Sequence, residues 1–172
     1  YANIKTDHGG ETYKGVSRRA NPRWPGWTYV DDAKKSGCKT ASQINGYLKK
    51  YDFEITALAV ELYRAEYWKP FVGDPALPDR LIEKSFDAGV NIGIVPAKKM
   101  LQRALNNCGG SLVVDGILGP KTRMFAAGCN VDKVMAAFII LQKLHYKSIV
   151  EKDPSQAIFL NGWLRRAEYN PK

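Results

Sequence analysis

Apolar residues recur at helical spacing along most of this chain. In 53–67, Ile55, Leu58, Ala59, Leu62, Tyr63 and Tyr67 fall on a 3.6-residue period. Leu81, Ile82, Phe86 and Val90 make a second apolar face over 81–91. A third helix is expected over 96–105, where Pro96 suits a first turn. The longest stripe is Val134, Ala137, Phe138, Leu141, Leu144 and Tyr146, which predicts a helix over 131–150. Phe159, Leu160, Trp163 and Leu164 predict the last, over 157–169, and shorter helices are expected over 40–50 and 119–127. Pro70, Gly73, Pro75 and Pro78 interrupt the series. Alternating patterns are scarce, with Leu112-Val113-Val114 the one stretch of extended character. Residues 18–40 read as irregular, and Asn21-Pro22-Arg23-Trp24-Pro25-Gly26-Trp27 as an ordered surface loop. The expected class is mainly α.

Composition narrows the partners. The chain has 172 residues and a net charge of +9, its basic residues spread in pairs such as Lys34-Lys35, Lys49-Lys50, Lys98-Lys99 and Arg165-Arg166. Such a surface attracts polyanions, either nucleic acid or the carboxylates and phosphates of a bacterial wall. No nucleic-acid motif accompanies the charge, so the wall is favoured and nucleic acid is not expected as a partner. No apolar run approaches the roughly 18 residues of a membrane span, so stable membrane insertion is not expected either. The polar, glycine-rich start does not read as a secretory signal. Three cysteines, Cys38, Cys108 and Cys129, are an odd number for a closed disulfide framework and read as small buried hydrophobes, with a Cys108–Cys129 pair left open. No spacing of Cys and His predicts a metal site, and no cofactor is expected.

Two stretches carry candidate chemistry. The first seventeen residues place Asp7, Gly9, Gly10, Glu11, Thr12 and Gly15 in one run, poor material for a core and good material for a site. Glycines let backbone approach a ligand closely, and the acids and hydroxyl are then free to act on it. The plain alternative for Asp7 is a turn carboxylate capping local amides, and for Glu11 a solvated side chain. His8 beside Asp7 has no Ser or Cys partner identifiable from spacing. The second stretch runs from Leu101-Gln102-Arg103-Ala104-Leu105 to Val114-Asp115-Gly116-Ile117-Leu118-Gly119-Pro120-Lys121-Thr122. Asp115-Gly116 makes a turn, and Gly119 with Pro120 opens a helix.

Together these motifs resemble the phage-type N-acetylmuramidase or secretion-activator family, glycoside hydrolase family 108, with a carboxy-terminal peptidoglycan-binding region. Tyr1, Asp7, Gly9, Gly10, Thr12, Gly15, Val16 and Ser17 keep step with its opening, Glu-Gly-Gly-Tyr, Asp, then Gly-Gly-x-Thr-x-x-Gly-Ile-Ser. Tyr67-Trp68, the run Ser85 to Gly93, the Asp-Gly turn and the run Phe159 to Arg166 follow in order. The resemblance implies a lysozyme-like helical fold with a glycine-rich amino-terminal active-site segment. It implies a catalytic region over 1–76 and a peptidoglycan-binding region over 77–172, packed as one unit. The activity implied is hydrolysis of the bond between N-acetylmuramic acid and N-acetylglucosamine at the cell wall, in the periplasm or envelope. A non-catalytic wall-binding protein is the alternative.

Glycoside cleavage uses an acid and a second carboxylate. The family's acid Glu falls before Tyr1 and is expected outside this chain. Asp7 then stands nine positions after it as the second carboxylate, and Thr12 follows Asp7 by five positions, one fewer than is usual in phage lysozymes. Sugar rings are held by aromatic faces and amides, and Tyr1, Tyr13, Tyr67, Trp68 and Asn91 are the candidates.

Overall fold

Tyr13, Lys14, Gly15 and Val16 make the first tight turn of the chain. Strands β1 (Thr12–Tyr13) and β2 (Val16–Ser17) pair antiparallel with Tyr13 opposite Val16. The two linking residues both have positive φ, 50° at Lys14 and 78° at Gly15, which matches the turn that fits strand twist. Gly15 is also required sterically, because a Cβ there would sit 2.5 Å from the Tyr63 hydroxyl. Ala2 bridges to Thr12 on the outer side of β1, through bonds of 2.9 Å in both directions.

The computed structural model describes residues 1–4, 9–74 and 76–172, which divide into two units, Tyr1–Ala65 and Glu66–Lys172. Asp7 and His8 lie outside the described residues.

In the first unit, α1 (Gly26–Lys35) replaces part of the irregular stretch expected over 18–40. Trp27, Val30 and Ala33, three apart, bury one face of α1. The expected surface loop is corrected as well, since Trp24 and Trp27 are 4% and 3% exposed and meet edge to face at 5.2 Å. Packing overrode the proline and glycine signals: Pro25 sits at the N-cap, where no helical N–H is lost. Helix α2 (Ala41–Leu48) opens on a capping box between Thr40 and Gln43. A 3-10 turn, Lys49–Tyr51, leads into α3 (Asp52–Leu62). Beyond α3 the chain continues as a π-helical turn, Tyr63–Trp68.

The second unit is built on longer helices. Helices α4 (Asp79–Ile92) and α5 (Ile94–Asn107) are separated by Gly93, whose φ of 93° ends the first. Pro96 lies in the first turn of α5, where N–H groups have no intrahelical acceptor. Then follow α6 (Pro120–Ala127), α7 (Val131–Lys152) and α8 (Ala157–Ala167). Phe71, Leu81, Leu101, Leu105, Val134 and Phe138 form the heart of a mostly aliphatic core. The extended stretch read at Leu112-Val113-Val114 forms no strand. The backbone there is bonded to a side chain instead: Asn106 Nδ2 donates to Leu112 O at 2.8 Å, and Leu112 N donates to Asn106 Oδ1 at 2.7 Å. All three cysteines are free and half-buried, so no Cys108–Cys129 bridge forms.

Buried polar groups in this unit are tied to backbone. Lys84, fully buried, donates to Ala167 O at 2.6 Å and Tyr169 O at 2.9 Å, closing the end of α8. Arg123 donates to Leu118 O at 2.7 Å, Phe71 O at 3.2 Å and Val72 O at 3.3 Å. Arg166 of α8 pairs with Asp87 of α4 at 2.9 Å, joining two motifs that are far apart in sequence.

Candidate active site

In the first unit the candidates converge on the hairpin. The Ala2–Thr12 bridge holds residues 1–2 beside β1. Thr12 is half-buried, and its hydroxyl donates to Gly10 O at 3.2 Å while its lone pairs stay available to accept. Tyr13, its neighbour, points the other way, as alternation along a strand requires, and is 8% exposed within the core. Its ring therefore backs the hairpin.

Glu11 is the centre of the local electrostatics. Its carboxylate accepts from the Tyr1 hydroxyl at 2.6 Å, pairs with Arg18 Nε at 2.6 Å and is bonded by Lys34. Arg18 in turn pairs with Asp31 at 2.7 Å and lies over the Trp27 ring at 4.5 Å. The Glu11 side chain is 11% exposed, so it is not the solvated residue its setting among glycines implies. Burial alone would raise its pKa, but the Lys34 ammonium, the Tyr1 hydroxyl and the Arg18 guanidinium outweigh burial and hold it below the usual carboxylate range. The Tyr1 hydroxyl is pushed up to about 12, by burial first and then by the carboxylate it serves. A proton donor at neutral pH needs the reverse, a carboxyl raised toward the working pH. Glu11 is thus a fixed anion. Neither Arg18 nor Lys34 was a sequence candidate, because no periodicity links positions 11, 18 and 34.

The remaining candidates lie in the second unit. Trp68 is half-buried and packs edge to face on Phe86 at 5.5 Å. Tyr67 is half-buried in the π-helical turn. Asn91, in the last turn of α4, accepts from the Tyr146 hydroxyl at 2.7 Å, and Tyr146 accepts from Gln142 at 2.9 Å. This chain of bonds fixes the exposed Asn91 side chain through its Oδ1. Among the described residues no group of three or more His, Cys, Asp or Glu side chains is placed to hold a metal ion.

The pattern described as Glycosyl hydrolase 108 matches residues 1–93. A second, described as Predicted Peptidoglycan domain, matches residues 96–168. No protein of curated function matches. Among solved structures, one titled "Structure of Brucella abortus SagA" superposes with a TM-score of 0.62, at 20% identity, over 97% of this chain and 80% of that one. At that identity the likeness speaks for the fold.

Proposed function

We propose a catalytic assignment for this chain, which belongs to the Glycosyl hydrolase 108 family and is a lysozyme-type peptidoglycan hydrolase acting at the cell wall. The bond cleaved joins N-acetylmuramic acid to N-acetylglucosamine. In the assignment, Asp7 is the second carboxylate, orienting a water or stabilising the oxocarbenium-like state. Thr12 accepts a hydrogen bond from that water. The family pattern gives the general acid to a Glu three positions before the tyrosine that Tyr1 matches.

One observation carries the reading. Glu11, an acid within the described active-site segment, is held ionised by two cations and a phenol, which removes it as proton donor. The same contacts clamp Tyr1, and the Ala2–Thr12 bridge brings the entering chain alongside Thr12. Tyr1, Tyr67, Trp68 and Asn91 are proposed as sugar contacts, with Tyr13 supporting the hairpin from behind. Residues 1–76 are proposed to carry catalysis and residues 77–172 wall binding, in the periplasm or envelope.

The test is muropeptide mass analysis and reducing-end release by the full-length protein on purified peptidoglycan. Asp7→Asn is expected to lower the rate by at least about tenfold with an unchanged unfolding midpoint. Full activity in that variant removes Asp7 from the mechanism.

A further inference from the structure

The Asp-Gly turn does more than join two helices. Gln102, 1% exposed, reaches it from α5: its Nε2 donates to Asp115 Oδ1 at 2.8 Å and Ile117 O at 3.0 Å, and its Oε1 accepts from Gly116 N at 2.8 Å. Asn106 ties down the entry to the same loop at Leu112. Two amides from one helix thus set the loop rigidly beside α6, and between them lies a groove of about 510 Å³ lined by Ser111, Val113, Asp115, Ile117, Lys121 and Thr122, among others.

The groove carries unmet bonding capacity at one end and apolar surface at the other. Thr122 is 5% exposed, lines the groove, and its hydroxyl has no hydrogen-bond partner among the described residues. Helix α6 begins at the same place with Gly119 at its N-cap and no side-chain cap; Pro120 has no N–H and Arg123 N donates to Gly119 O, so Lys121 N and Thr122 N are the open donors of its first turn. Together with Lys121 these favour a carboxylate. Asp115 uses Oδ1 for both of its bonds, to Gln102 and Ile117 N, leaving Oδ2 for a cation. Val113 and Ile117 are 76% and 67% exposed beside it. No aromatic ring lines the groove, so it lacks the flat faces on which sugars stack.

We propose that this groove binds the peptide stem of peptidoglycan, a short peptide with alkyl side chains, free carboxylates and an amine, and not the glycan strand. The inference rests on the reading of the chain as a peptidoglycan hydrolase. A stem carboxylate lies against Thr122, Lys121 and the open start of α6, its amine near Asp115, and its methyl groups on Val113 and Ile117.

The full chain is titrated with a synthetic L-Ala–γ-D-Glu–L-Lys–D-Ala tetrapeptide and, separately, with a peptide-free chitin oligosaccharide, reading amide shifts by NMR. Tetrapeptide shifts confined to 111–122, weakened at least about fivefold by both Thr122→Val and Lys121→Glu at unchanged unfolding midpoints, support the proposal. Absence of shifts, shifts mapping elsewhere, indifference to both variants, or oligosaccharide occupying the groove overturns it. Hydrolysis of walls stripped of their stems by an amidase separates the two readings. Turnover there by the full-length protein keeps the hydrolase standing when the groove fails, and no turnover on any wall removes the hydrolase.

Discussion

The two units of this molecule solve the same problem with different materials. The first, Tyr1–Ala65, has short elements and a core in which Tyr13, Trp24 and Trp27 sit among small aliphatics, with a network of charges around Glu11. The second, Glu66–Lys172, has long helices around a core that is mostly aliphatic, with Phe71 and Phe138 its buried rings, and its buried cations bond backbone carbonyls. Aromatic rings fill much volume per residue, which suits a unit with few turns of helix to spare. Helices leave carbonyls at their ends, and Lys84 serves that need at the end of α8, while Arg123 bonds carbonyls outside the long helices, at Phe71, Val72 and Leu118. The unit that carries the glycine-rich segment is thus the one held by charge and aromatic contacts.

Trp24→Ala offers the largest test of the contrast. It removes a buried ring, its bond from Nε1 to Leu58 O at 3.1 Å, and the wall against which Gly26 closes. A loss of about 3–5 kcal/mol is expected, read by hydrogen exchange at first-unit amides. A loss under about 1 kcal/mol would break the claim that aromatics dominate that core.

Arg123→Met comes next. It strands the carbonyls of Leu118, Phe71 and Val72, and about 2–3 kcal/mol should be lost in second-unit amides. Denaturant titration with exchange readout separates this from an effect on the first unit.

Glu11→Gln is smaller, about 1 kcal/mol, because Lys34 and Arg18 are partly solvated. Its signature is pH. The folded carboxyl lies below its ordinary value of 4.5, so its contribution is present above pH 4.5 and is lost as pH falls through the depressed folded value. Urea midpoints of the wild type should therefore fall more steeply in acid than those of Glu11→Gln. Parallel curves would remove Glu11 from the ledger of the first unit.

Lys84 provides the opposite slope. Burial, outweighing the help of Asp87, lowers its pKa from 10.5 to about 8. Between these values the unfolded chain binds more protons than the folded one, so stability rises with pH across that window and levels off above it. The wild type should gain on Lys84→Met from pH 8 to 10.5, and an unchanged difference would show that the amine is solvated in the folded protein.

Much of the architecture was legible in the linear pattern. Helices α3, α4, α5, α7 and α8 each advertise a stripe such as Val134, Phe138 and Leu141, because burying one face of a helix imposes a period that local sequence must carry. The Asp115-Gly116 turn was legible because a φ of 85° at Gly116 selects glycine. Helix α1 was hidden behind Pro22, Pro25 and Gly26, although Trp27, Val30 and Ala33 keep helical spacing and Lys34-Lys35 closes the last turn. In the site, the glycine-rich run was legible in the residues themselves, and the candidates Asp7 and Thr12 came from the family resemblance.

What the tertiary structure alone decided is who partners whom across long separations. Glu11 with Lys34, Arg166 with Asp87, Lys84 with Ala167 and Arg123 with Phe71 have no local signature, since nothing in a residue's neighbours along the chain says which distant carbonyl or charge will be desolvated beside it. The Lys34 ammonium, the Tyr1 hydroxyl and the Arg18 guanidinium are what turned Glu11 from a candidate acid into a fixed anion, against the pull of burial, and those partners meet only after the chain has folded.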